Sequence, residues 1–112
     1  MKKTKIEGYW YSDDPYNKDY PVPVTDVLTK DDAKAIYDLI IKKQKGARSN
    51  AYKGWSTSRI TGEHLGSREY ETNEWLWPID FAPHYVLKHR CKPTDEFLDF
   101  IGYNDFIDIS EL

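Results

Sequence analysis

The stretch Ser67–Arg90, SREYETNEWLWPIDFAPHYVLKHR, decides the fold. Its first half reads as two extended pieces, SREYETN and EWLWPI. In the second piece Trp75 and Trp77 fall on one face and Leu76 on the other, the alternation a half-buried strand requires. Pro78 has no amide hydrogen to give a ladder, so it ends that strand or marks it as an edge. Asp80 then stands as the N-cap of a helix, FAPHYVLKHR. Pro83 falls in its first turn, where a missing donor costs little. At α-helical spacing Phe81, Tyr85 and His89 share one face, as do Ala82 and Val86.

On the C-terminal side, Thr94 caps a further helix, DEFLDFIGY, with Phe97, Leu98, Phe100 and Ile101 apolar and an end near Gly102. FIDISEL, residues 106–112, alternates and reads as a short strand or an extended tail. On the N-terminal side, KGWSTSRI reads as a short strand at about 54–60. TGEHLG follows as a turn bracketed by Gly62 and Gly66. Residues 29–46 form the clearest helix. Thr29 is its N-cap, and Asp32 three residues on suits a capping box. Ala33, Ile36, Tyr37, Ile40 and Ile41 make one apolar stripe, widened by Leu39. Asp31 and Asp32 sit at the positive end of the helix dipole, Lys42, Lys43 and Lys45 at the negative end. Gly46 suits the C′ position. Residues 1–24 read as an extended aromatic and proline-rich arm packed on the rest, its rings (Tyr9, Trp10, Tyr11, Tyr16, Tyr20) lying across the core. The expectation is an α+β protein: a single compact domain over residues 1–112, with a small antiparallel sheet of about three strands packed with about three helices.

Composition supports a folded chain. Of 112 residues 39% are hydrophobic and 31% charged, but 15% are aromatic, and aromatic rings bury more area per residue than small aliphatic ones. A chain of this length buries roughly two thirds of its unfolded surface. The net charge is −3, yet residues 93–112 hold six acids and no Lys or Arg, leaving +3 on residues 1–92. Such polarity steers partners, while overall acidity lacks the basic stripe of a nucleic-acid binder. Cys91 is the single cysteine, so no internal disulfide framework forms. The N-terminus has lysines but no apolar signal core, and no run of 18 apolar residues spans a membrane. These features predict a cytoplasmic protein.

One further pattern carries chemistry. Ser58 and Thr61 stand three apart, followed by Gly62, and His84 and His89 lie some twenty residues on. GWSTSRITG, GSREYET, WLWP and HYVLKH together resemble a family of small bacterial proteins of largely unknown activity. Its members read Cys-x-x-Cys-Gly, then Gly-Ser-x-Glu-Tyr, then Trp-Pro, then His-Tyr-Val-x-x-His. The resemblance covers most of the chain and is best from Gly54 to Phe97. It implies a zinc-knuckle-like layout in which two cysteines on a turn and two histidines on a helix supply tetrahedral ligands. This chain has Ser58 and Thr61 where the cysteines stand. Their hydroxyls are neutral near pH 7 and bind zinc poorly, so the expectation is a metal-free turn with no cofactor. Hydrogen bonds from Ser58 or Thr61 to an imidazole would then hold it. Any residual metal site would draw on His84, His89, Cys91 and His64.

Two functions follow as expectations. The first is a non-enzymatic protein that binds a protein partner. Its contact residues come from Trp75, Arg59, Tyr70, Trp55 and Trp10, side chains of hot-spot type, with the acidic C-terminal third as a second surface. The second is a small-ligand binder or enzyme, for a nucleotide or sugar, using a pocket where His84, His89, Glu69 and Arg59 converge. His84 beside Glu69 or Asp80 would make an acid–base pair, and Cys91 near His89 a thiol nucleophile. The sequence has no G-x-S-x-G, phosphate loop or H-E-x-x-H, and the reading leans away from catalysis.

Overall fold

Thr29 begins α1 (Lys30–Gln44) as expected, its Oγ1 accepting the Asp32 amide at 3.1 Å. The computed structural model describes residues 4–10, 18–51 and 56–104. Trp55, Tyr11, Tyr16, the first part of the strand expected at 54–60 and the tail FIDISEL lie outside the described residues. The stripe of α1 buries Ala33, Ile36 and Ile40 against the helix that follows the sheet and against α2 (Asp95–Ile101). Gly46 does follow the helix, but its φ is not left-handed. Instead the Lys45, Gly46 and Ala47 amides fold back onto the Lys43 and Gln44 carbonyls, and this tightened last turn satisfies the helix end without the glycine conformer.

The chain is α+β, with three helices and one four-stranded sheet in the order β1-β4-β3-β2. Two strands, β3 (Arg68–Glu71) and β4 (Trp75–Pro78), pair antiparallel where the sequence places them. The other two are additions. β1 (Lys5–Ile6) lies parallel to β4 at one edge, so the sheet is mixed and not wholly antiparallel. β2 (Arg48–Ala51) pairs with β3 at the other edge. The expected strand near 54–60 reduces, among the described residues, to a single bridge between Thr57 and His64, because the backbone turns at Arg59–Thr61.

The core lies on the face that carries Trp75 and Trp77, which are 4% and 0% exposed. Phe97 from α2 (Asp95–Ile101) meets both rings edge-on, at 5.1 and 5.6 Å between centroids. These T-shaped contacts suit the ring quadrupoles. The Trp77 indole N–H donates to Gln44 Oε1 at 3.1 Å, so its burial leaves no polar orphan. Thr94 caps α2 by accepting the Phe97 amide at 3.3 Å, and the helix ends at Gly102. The Thr94 amide and hydroxyl in turn donate to Glu7 at 2.7 and 2.9 Å. Glu7 is 6% exposed. Burial pushes its carboxyl up, against the two Thr94 hydrogen bonds that pull it down. This contact fastens the N-terminal strand to a helix 87 residues away.

Candidate functional site

The helix after β4 is where the sequence expectation changes most. Phe81–Lys88 is a π-helix, a form that recurs at functional sites. The His89 amide reaches the His84 carbonyl, five residues back, at 3.1 Å. In an α-helix positions five apart diverge; here the two imidazoles sit 4.7 Å apart. Asp80 occupies the N-cap position but makes no side-chain cap bond. Its Oδ2 instead accepts the Ser56 hydroxyl at 2.6 Å.

Facing this helix, residues 56–66 form a closed loop. Leu65 donates to the Ser56 carbonyl at 2.7 Å, Ser58 to Glu63 at 2.8 Å, and Gly62 to Ser58 at 3.0 Å. Gly62 takes φ +79°, where a side chain would be strained. Gly66 acts differently: a Cβ there would lie 2.3 Å from Ile79 Cγ2, so it permits a close approach and not a left-handed bend.

Ser58 is the centre of the loop and is 3% exposed. Its Oγ accepts the Ile60 and Thr61 amides at 3.1 and 3.0 Å and lies 2.7 Å from His84 Nε2. With its lone pairs facing two amides, the hydroxyl hydrogen is left for Nε2. The ring proton is then assigned to Nδ1, which faces Glu63 at 3.7 Å. His84 is 7% exposed. Burial, with His89 adding to it, holds its pKa below the usual imidazole range, so the neutral ring this hydrogen bond needs is the favoured form. Thr61 does not reach an imidazole; its hydroxyl donates to Glu63 Oε1 at 3.0 Å.

The residual metal set does not assemble: among the described residues no three His, Cys, Asp or Glu side chains gather as ligands. His64 is exposed on the bridge to Thr57. Cys91 is 1% exposed, and burial pushes its thiol up to about 11, which leaves it a poor nucleophile at neutral pH. Nor do the acid–base pairs form as expected. Glu69 accepts the Tyr9 hydroxyl at 3.0 Å, and Asp80 serves Ser56, so the carboxylate beside His84 is Glu63.

The expected contact residues divide. Trp75 is core, packed on Phe97 and Phe100, and so is withdrawn from any surface. Tyr70 is half-buried and stacked on Trp77 at 6.1 Å. Trp10 is half-buried against Tyr85 at 5.2 Å. Arg59 is exposed, its backbone amide donating to the Tyr85 hydroxyl at 3.1 Å and its Nη1 to the Thr57 carbonyl at 2.7 Å. Trp10 and Arg59 line one cleft together with Ser56, Asp80 and Tyr85. The described lining of that cleft does not include His84, His89 or Glu69.

A second feature lies beyond what the sequence pattern indicated. Val22, Val24 and Val27 are 65%, 66% and 51% exposed and line a groove of ≈ 350 Å³ with Ile6, Tyr20 and Trp10. The only sequence signal is the proline-punctuated run PVPV, which resists helix and keeps its valines from a regular buried face. Among the described residues no helix is long and apolar enough to cross a membrane. No family model, curated protein or solved structure matches the chain.

Proposed function

We propose that this is a non-enzymatic macromolecule-binding protein of inhibitor, immunity or adaptor type, from a bacterium or phage, and that its partner is a protein. The observation that carries this reading is the exposed valine strip along the groove beside Trp10. Clustered exposed apolar side chains next to an aromatic ring are the usual composition of a docking patch. The chemistry-bearing residues support the same direction. His84 is buried and spent on Ser58, and Cys91 is buried with a raised thiol, so neither offers an open reactive group. The alternative pocket of His84, His89, Glu69 and Arg59 is weakened because Arg59 faces Asp80 and Tyr85 while Glu69 faces Tyr9.

The scaffold in this proposal is a knuckle-type turn in which hydroxyls replaced metal ligands. What supports it is the pair of amides converging on Ser58 Oγ, the arrangement that would equally stabilise a thiolate, together with two adjacent imidazoles. A Ser58→Cys/Thr61→Cys protein is expected to take up one zinc per chain with a rise in melting temperature. A folded double variant that bound none would remove the zinc-knuckle scaffold from the proposal.

The function itself is tested by affinity capture from the native host with wild type and Val24→Asp. A protein recovered stoichiometrically with wild type and lost with Val24→Asp, at unchanged melting temperature, is the expected result. Equal recovery by both would exclude the valine strip as the docking surface.

A further inference from the structure

We infer that the valine groove takes up an extended segment of the partner protein, which pairs its backbone with the free edge of β1 and sets alternate apolar side chains against Val22, Val24 and Val27. This deepens the protein-partner reading and rests on it.

β1 ends the sheet, with β4 on one side and no strand on the other among the described residues. Its ladder to β4 uses the Lys5 and Glu7 amides, which donate to the Glu74 and Leu76 carbonyls at 2.9 and 3.0 Å. Backbone groups alternate in direction along a strand, so the Ile6 N–H and C=O point away from β4. Among the described residues neither makes a hydrogen bond. Ile6 itself is 40% exposed and not sealed in the core. An open donor and acceptor on one strand residue are a template for a further strand.

The groove is lined by Ile6 and the residues that follow it, by Val22, Val24 and Val27, and by Cys91, while no residue of β4 lines it. It therefore sits on the side of β1 away from β4, the side to which the Ile6 groups point. Its ≈ 350 Å³ is the liquid volume of about twelve waters. That is room for a few side chains of one strand, not for the sheet of a second copy. A helix suits the free groups no better, because its own backbone bonds are internal. An extended chain meets both features at once, with its backbone on the edge and alternate side chains in the groove. The edge is short, since Gly8 takes φ +81° and leads the chain out of the strand. Recognition thus rests on few hydrogen bonds and mostly on apolar contact.

The probe is the capped peptide acetyl-KTVTVTVTK-amide, titrated into the full chain by amide NMR. Two further peptides carry N-methyl groups, one on every valine amide and the other on every threonine amide. The unmodified peptide is expected to bind with a Kd below about 1 mM. One methylated peptide, and not the other, is expected to lose about fivefold or more, since only alternate amides face β1. Ile6→Pro removes the outward N–H and spares both ladder amides. It is expected to weaken the unmodified peptide by a similar factor, while Ile6→Val keeps the donor and binds as wild type. Melting temperatures identify an Ile6→Pro protein that fails to fold, and the methylated peptides on wild type then decide alone. Equal affinity for all the peptides would overturn strand addition. So would no binding at about 5 mM, or a dimer of the chain that Ile6→Pro dissolves. Equal peptide affinities that Val24→Asp abolishes would keep the valine strip as the docking surface and reject only the added strand.

Discussion

The aromatic slab and the Ser58 loop both meet the π-helix, the slab through Phe81 and the loop through His84, and they are held by different forces. In the slab, Trp75, Trp77, Phe81 and Phe97 are each no more than 4% exposed and meet ring against ring. Stability there scales with area and tolerates small shifts. In the loop, Ser58 takes two amides and an imidazole through one oxygen, and only Ile60 and Leu65, both half-buried, pack against the core. Directional contacts fail singly, because losing one atom orphans several groups. The difference explains how a chain with hydroxyls at 58 and 61 keeps a compact turn: the slab supplies most of the stability and the loop needs only to be fixed in place.

The contrast is testable from its strong end downward. Trp77→Ala removes a ring that is 0% exposed and the partner of Gln44. It is expected to cost about 3–5 kcal/mol in urea unfolding, and a loss under about 1 kcal/mol would mean the slab is not the main source of stability. Thr29→Ala removes the cap of α1 and is expected to cost about 1 kcal/mol. A loss as large as that of Trp77→Ala would place the weight on local helix capping instead.

Acid gives a smaller, signed effect. The neutral His84 ring is favoured in the fold, while the unfolded chain takes up that proton near pH 6.5. The contribution of His84 is thus complete above about pH 6.5 and is lost as pH falls from there through the lower folded pKa. Asp80 and Glu7, raised above 3.8 and 4.5 by burial, act in the opposite direction: their contribution is full below those values and is lost as pH rises through the folded pKa. Urea midpoints measured from about pH 7 to about pH 5 should therefore fall less steeply for His84→Gln than for wild type. Parallel slopes would show that His84 is not held neutral.

Much of this architecture is legible in the sequence where the signal is local. Thr29 and Thr94 cap the helices they precede, and the Trp75–Trp77 alternation places β4. What is not legible depends on distant partners. β1 is two residues long and exists through pairing with β4 about seventy positions away. β2, with the sequence RSNA, carries no apolar alternation, and its strand form comes from β3. Glu7 looks like any surface acid until Thr94 is placed against it. The π-helix is the most consequential miss. Its sequence fits an α-helix equally well, which would separate His84 from His89 and pair the wrong faces. The Ser58–His84 contact is within reach of the sequence, where the Ser58–Gly62 turn and the His84 helix both stand out, but the division of labour between Ser58 and Thr61 is not.

The most direct measurement is a double-mutant cycle on Ser58→Ala and His84→Phe by urea unfolding at neutral pH. Ser58→Ala alone is expected to cost about 1–3 kcal/mol, since it also strands the Ile60 and Thr61 amides. The coupling between the two positions is expected to be about 1 kcal/mol or more. Losses that simply add, within about 0.5 kcal/mol, would contradict the claim that the Ser58–His84 hydrogen bond fastens the loop to the helix.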